Sequence, residues 1–224
     1  MKRKIELTID GKTILADEGE KILWAALDNG IYIPHLCAVR EALEPAASCR
    51  LCFVEVEGYP RPVTSCTEPV KEGMAVRTRS PRVDRLVKTA FELLLSDHHL
   101  DCARCPKNRA CELQKIARER KLRLKNVRFP QLERDLPVDD SHPLFSFDPR
   151  KCVLCGRCVW ACRERAGLGV LGFAYRGSVR RVTTFAGVPL AQTNCSGCGE
   201  CVKSCPVGAL YFKRNEQLPK DKEN

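Results

Sequence analysis

Eight cysteines between positions 152 and 205 constrain this chain more than any other feature. They form two runs, CVLCGRCVWAC and CSGCGECVKSC, each spaced C-x2-C-x2-C-x3-C, and Pro206 closes the second. Three thiolates at this spacing wrap one corner of a cubane, while the fourth points away toward a neighbouring cluster. The spacing therefore predicts two [4Fe-4S] clusters. Cys152, Cys155, Cys158 and Cys205 hold one, and Cys195, Cys198, Cys201 and Cys162 hold the other. C-x2-C is also a zinc spacing. Two complete runs in tandem, ending in Cys-Pro, favour iron–sulfur.

The other seven cysteines fall into two groups. Cys37, Cys49, Cys52 and Cys66 are spaced C-x11-C-x2-C-x13-C, like the plant-type C-x4-C-x2-C…C pattern with a longer first gap. Four thiolates suit [2Fe-2S] or zinc; in a chain that already carries the double run, [2Fe-2S] is favoured. His98, Cys102, Cys105 and Cys111 are spaced H-x3-C-x2-C-x5-C. Three thiolates and an imidazole are also a common structural zinc set, so this motif alone leaves the metal open. His99 is a rival to His98, at x2 spacing. Fifteen cysteines and one histidine make sixteen ligands, four for each of four sites, and leave no cysteine as a nucleophile.

Composition narrows the rest. The first residues, MKRKIELTIDGK, contain no apolar signal region or twin arginine, and no apolar run nears 18 residues. A cytoplasmic protein without a membrane span is expected, in a compartment where clustered cysteines mean metal. The formal charge of +10 suggests an acidic partner or nucleic acid. Clusters at these four sites would add about −7, leaving about +3. The basic run at residues 118–128 has no interleaved aromatic and reads as a solvated or docking face rather than a nucleic-acid site. A zinc-bearing nucleic-acid-binding protein is the rival class: the charge favours it and the double run opposes it.

In chain order, Lys4–Ile9 alternates like a strand, Asp10-Gly11 is a hairpin turn, and residues 12–15 return. Residues 20–29 place Ile22, Leu23, Ala26 and Leu27 on one helical face ending at Gly30. Further strands are expected at 52–57, 61–65 and 74–78, which together suggest a small β-grasp domain. From Pro81, a helix presents Val83, Leu86, Val87, Ala90, Leu93 and Leu94, and a basic helix follows over 110–123. Residues 173–185 read as a hairpin turning at Arg176-Gly177. The expected class is α+β, in five parts. A β-grasp [2Fe-2S] domain (1–79) precedes a helical [4Fe-4S] domain with one histidine and three cysteine ligands (80–128). A proline-rich linker (129–149), a 2[4Fe-4S] ferredoxin-like domain (150–213) and a polar tail (214–224) follow. Gly167, Gly169 and Gly172 match G-x-G-x-x-G, but no Asp or Glu lies between Glu164 and Glu200. A dinucleotide fold needs such a residue, so these glycines are read as turning the chain away from Cys162.

The four motifs in this order resemble a known family of iron–sulfur subunits. It comprises the N-terminal half of the complex I 75-kDa subunit, the N-terminal part of many [FeFe]-hydrogenases, and the small diaphorase subunit of NAD-linked [NiFe]-hydrogenases. The residues that carry the resemblance are AASCRLCFVEVEG, HxLDCxRCxxNxxCELQ ending at Gln114, and the double run. The resemblance implies [2Fe-2S] at Cys37, Cys49, Cys52 and Cys66, and [4Fe-4S] at His98, Cys102, Cys105 and Cys111. It also implies His98 rather than His99, and three [4Fe-4S] clusters in all. By resemblance the chain is a non-catalytic relay between a flavin/NAD(P) diaphorase subunit and a catalytic hydrogenase subunit. The runner-up is the same relay in a formate dehydrogenase or another, electron-bifurcating, oxidoreductase. Anaerobically reconstituted protein should contain about 14 irons per chain and no stoichiometric zinc, measured by elemental analysis.

Overall fold

The computed structural model describes residues 3–125, 127–132 and 135–213. The tail expected at 214–224 lies outside them. The described chain divides into one unit of residues 3–94 with 120–122, and a second of 95–119 with 123–213.

The first unit is built on a hairpin. β1 (Lys4–Ile9) and β2 (Lys12–Asp17) pair antiparallel, with Leu7 opposite Ile14 and Ile9 opposite Lys12. Asp10 and Gly11 both have positive φ, 52° and 78°, as a two-residue hairpin turn demands. The Asp10 carboxylate accepts hydrogen bonds from Thr78 N (2.7 Å) and Thr78 Oγ1 (2.5 Å), tying the turn to the strand beside it.

Helix α1 (Ile22–Asp28) follows, then β3 (Phe53–Val56), β4 (Val63–Thr64) and β5 (Ala75–Arg77). The sheet order is β2-β1-β5-β3-β4, with β1 and β5 parallel and the other pairs antiparallel. One face of the hairpin supplies Ile5, Leu7, Ile9, Ile14 and Ala16, which pack with Ile22, Leu23, Ala25 and Ala26 of α1 and with Val54, Val56 and Val76. Ala25 takes a core place that the sequence pattern gave to Leu27, which is only partly buried.

Helix α2 (Pro81–Ser96) buries Val83, Val87, Ala90, Phe91 and Leu95. Leu93, expected on the buried face, is 50% exposed. At 100° per residue it lies well away from the stripe through 83, 87, 90 and 91.

In the second unit, α3 (Glu112–Arg120) starts just after Cys111 and buries Leu113, Ile116 and Ala117. Two short strands, Phe145–Phe147 (β6) and Leu210–Phe212 (β9), pair antiparallel. A linker was expected through Pro149, yet its last residues are strand. Three residues are too short for periodicity to mark, and their partner lies more than 60 positions away.

α4 (Arg157–Trp160) runs into one wide turn, Ala161–Arg165, closed by Ala166 N–H donating to Ala161 O at 3.0 Å. Such i→i+5 turns occur mostly at functional positions, and this one carries Cys162. β7 (Leu171–Ala174) and β8 (Arg181–Thr184) form the expected hairpin, beginning two residues early and turning through Gly177–Val179. α5 (Glu200–Ser204) closes the second cysteine run.

The glycines at 167 and 169 have positive φ and lead into a strand, not a helix. Leu23 is fully buried and Leu43 is 98% exposed. Leu23→Ala should cost about 2–5 kcal/mol, seen as an earlier unfolding midpoint in circular dichroism, whereas Leu43→Ala should leave the midpoint in place.

Candidate functional site

The first thiol set lies in the first unit. Cys37 and Cys49 sit on the irregular segment after α1, Cys52 leads into β3, and Cys66 follows β4. All four are buried. Cys37 and Cys49 are hydrogen-bonded with sulfurs 3.4 Å apart, and Cys49 N–H also donates to Cys37 Sγ at 3.5 Å. Cys52 and Cys66 are likewise hydrogen-bonded through their side chains.

These hydrogen bonds lower the pKa of Cys37 and of Cys52 and raise that of Cys49 and of Cys66, as a proton shared within each pair requires. Two close pairs are what a two-iron rhomb asks for, since each of its irons takes two terminal thiolates.

The histidine set follows α2. His98 is 5% exposed, while His99 is exposed. His98 Nδ1 lies 2.8 Å from Lys151 O. A carbonyl only accepts, so the proton sits on Nδ1 and Nε2 keeps its lone pair. Burial lowers the His98 pKa, which the Lys151 hydrogen bond opposes, so the ring stays neutral. His99 N–H donates to Arg150 O at 2.8 Å, a bond made by its backbone and not its ring.

Cys102 opens a 3-10 turn, Cys102–Arg104, and Cys111 precedes α3. Gln114 braces the intervening loop: its Oε1 accepts from Arg109 N at 2.8 Å and its Nε2 donates to Asn108 at 2.9 Å. That bracing explains why asparagine and glutamine flank the last cysteine. Burial raises the Cys111 pKa, and Cys105 and Cys102 are close enough to add to it.

The two runs cross. Burial raises the Cys152 pKa, with Cys155 and Cys205 adding charge repulsion. Cys158 is raised further by burial, then by Cys152, Cys155, Cys205 and Cys201. Burial pushes Cys201 up to about 12, followed by Cys162, Cys195 and Cys198. Cys195 is raised by burial and by its neighbours Cys198 and Cys162. Cys205 thus lies close enough to act on Cys152 and Cys158, and Cys162 close enough to act on Cys195 and Cys201.

Gly156 and Gly199, after the second cysteine of each run, have φ of 79° and 71°, which turns each run into its short helix. Val170 N–H donates to Cys162 Sγ at 3.2 Å, and Leu154 N–H to Cys152 Sγ at 3.4 Å.

Among the described residues, no three side chains of His, Cys, Asp or Glu gather closely enough to hold a single metal ion. Sequence reading passed over Asp148, which caps the turn before Cys152, and Gly208, where a methyl group would overlap Cys105 Sγ. The signals were present: Asp-Pro before a first ligand, and glycine just past a last one.

Three family models match along the chain. A 2Fe-2S iron–sulfur cluster binding domain covers 2–81, the NADH-ubiquinone oxidoreductase-G iron–sulfur binding region 88–123, and the ferredoxin-like domain of NADH-quinone oxidoreductase subunit 3 covers 142–211. A chain of the NAD+-reducing [NiFe]-hydrogenase in its H2-reduced state is 34% identical, with a TM-score of 0.84 over 94% of this chain and 88% of that one. This chain belongs to the iron–sulfur family shared by complex I and the NAD+-reducing [NiFe]-hydrogenases.

Other members of the family extend well beyond it. The NADPH-Fe(3+) oxidoreductase subunit alpha of Geobacter sulfurreducens is 37% identical over 93% of this chain and 24% of its own length. The NADP-reducing hydrogenase subunit HndD of Solidesulfovibrio fructosivorans is 41% identical over 92% of this chain and 36% of its own. The chain thus spans about a quarter to a third of these curated relatives. In this chain 2Fe-2S and 4Fe-4S binding domains follow one another in a mixed α and β structure. Among the described residues, no helix is long and apolar enough to cross a membrane.

His98→Ala should make the iron of its set labile to a chelator, whereas His99→Ala should retain it. His98→Cys should keep the cluster and lower its reduction potential, since a thiolate adds negative charge; redox titration followed by EPR reads both effects.

Proposed function

We propose that this chain is a multi-cluster relay subunit. It passes single electrons between a flavin/NAD(P)-binding diaphorase subunit and a catalytic subunit of a cytoplasmic [NiFe]-hydrogenase. One [2Fe-2S] cluster belongs to Cys37, Cys49, Cys52 and Cys66, in a β-grasp domain whose parallel β1–β5 pair and crossing helix support that name. Three [4Fe-4S] clusters belong to His98, Cys102, Cys105 and Cys111; to Cys152, Cys155, Cys158 and Cys205; and to Cys162, Cys195, Cys198 and Cys201.

The observation that best supports this reading is that Cys205 is a charge neighbour of Cys152 and Cys158, and Cys162 of Cys195 and Cys201, as two neighbouring clusters with exchanged fourth ligands would require. Bound clusters supply reversible one-electron transfer. The chain's own residues fix where each cluster sits, bury most of the thiolates while leaving Cys198 exposed, and direct backbone N–H groups at the sulfurs of Cys37, Cys152 and Cys162. A groove of about 450 Å³ lined by Leu136, Val138, Leu171, Val182 and Val188 carries none of the sixteen ligands, and a catalytic role is not assigned to it.

Likeness to the NAD+-reducing [NiFe]-hydrogenase chain over 88% of its length favours that complex. The same relay in an NAD(P)-linked formate dehydrogenase or an electron-bifurcating oxidoreductase is the second reading, supported by relatives with different names over the same segment.

The reconstituted chain alone should neither reduce NAD(P) nor consume H2, and should co-purify with a flavin subunit and a nickel–iron subunit when tagged in its native host. Hydride transfer to NAD(P) by the isolated chain would refute the relay.

A further inference from the structure

The Pro149–Lys151 turn stands between two of the proposed ligand sets and touches both. On one side, Lys151 O accepts from His98 Nδ1 and Arg150 O accepts from His99 N, each at 2.8 Å. On the other side, the next residue is Cys152, whose N–H donates back to Pro149 O at 3.1 Å. A small change in this turn therefore moves the acceptor of one set's imidazole and the first thiol of the next.

The turn is held by one buried carboxylate. Asp148 has a side chain only 5% exposed. Its Oδ1 accepts from Arg150 N at 3.1 Å and from Arg150 Nε at 2.9 Å, and its Oδ2 accepts from Arg150 Nη2 at 3.1 Å. Lys151 Nζ lies 3.9 Å from Oδ2. The Asp148 N–H donates to Ala209 O at 2.7 Å, fixing the residue to the chain just before β9. A carboxylate that caps its own turn and clamps a guanidinium in two-pronged fashion is among the more rigid devices side chains offer.

We propose that Asp148 is a positioning residue for two ligand sets at once. It holds the turn so that Lys151 O orients the His98 ring with Nε2 free, while Cys152 is set for the following trio. The proposal rests on the ligand assignment given above. Partners of this kind fix a histidine ligand's tautomer and raise its basicity. A ring deprived of its carbonyl acceptor donates less to iron, which favours the reduced cluster.

The test uses the reconstituted full chain labelled with 15N-histidine, in wild-type, Asp148→Asn and Asp148→Ala forms. Pulsed EPR reads the nitrogen coupling and redox titration reads each cluster. Asp148→Ala is expected to weaken the histidine coupling and to favour reduction of that cluster about tenfold, or about 59 mV for one electron. A chelator should then strip iron faster from the His98 and Cys152 sets together, with the Cys37 set unaffected. Asp148→Asn keeps an oxygen to cap Arg150 N and should shift in the same direction by less.

Coupling seen in the wild type and unchanged in Asp148→Ala overturns the proposal alone. Equal iron loss from all four sets in both variants also overturns it, marking Asp148 as a general stability residue. A wild-type chain with no histidine coupling overturns the ligand assignment, and the proposal with it.

Discussion

A thiolate taken out of water needs positive charge beside it, and this chain takes many out at once. Cys37, Cys49, Cys52 and Cys66 are each no more than 4% exposed, and Cys111, Cys155, Cys158, Cys162, Cys201 and Cys205 are no more than 8%. Burial and mutual repulsion hold Cys152, Cys158, Cys195 and Cys201 as thiols. Iron reverses this by supplying the charge that lets each proton leave. With the metal, the thiols become cross-links between distant segments; without it, they are crowded groups in a small core with few aromatic residues. Metal binding and folding are then one equilibrium, and the apolar core of the second unit need not carry its stability unaided.

The two units use the same chemistry on different frames. In the first, a sheet and one helix make an aliphatic core, and the ligand segment hangs from its edges at Cys52 and Cys66. In the second, regular structure is sparse: α4 has four residues and α5 five. Order there comes from glycines in left-handed turns, backbone N–H groups on sulfur, and side-chain braces such as Gln114 and Asp148.

Local signals made most of this legible. Asp10-Gly11 announced its turn, the stripe Val83, Val87, Ala90 announced α2, and cysteine spacing marked four sets before any contact was known. The resemblance favoured His98 over His99, and the fold adds a difference no spacing shows: His98 is buried with Nδ1 against the Lys151 carbonyl, whereas His99 is exposed. Long-range pairing was least visible. β6 and β9 are three residues each, too short to show a period, and their registry depends on partners far apart. Arg120 was read as part of a basic solvated helix, yet its side chain is 4% exposed and bonds Thr78 O and Asp84. Its long apolar stem hides such a residue among surface cations.

The proposed pairing of Cys205 with Cys152, Cys155 and Cys158 would also set a schedule for biosynthesis. Cys152 leaves the ribosome 53 residues ahead of Cys205, and at about 5–20 residues per second that is a delay of roughly 3–10 s. Cys162 would wait 39 residues for its own trio to be complete. During that interval four nascent thiols are exposed to oxygen and stray metals. Under that pairing the set with Cys162 is complete at Cys201, only four residues before Cys205 completes the other, so both sites would close at almost the same moment.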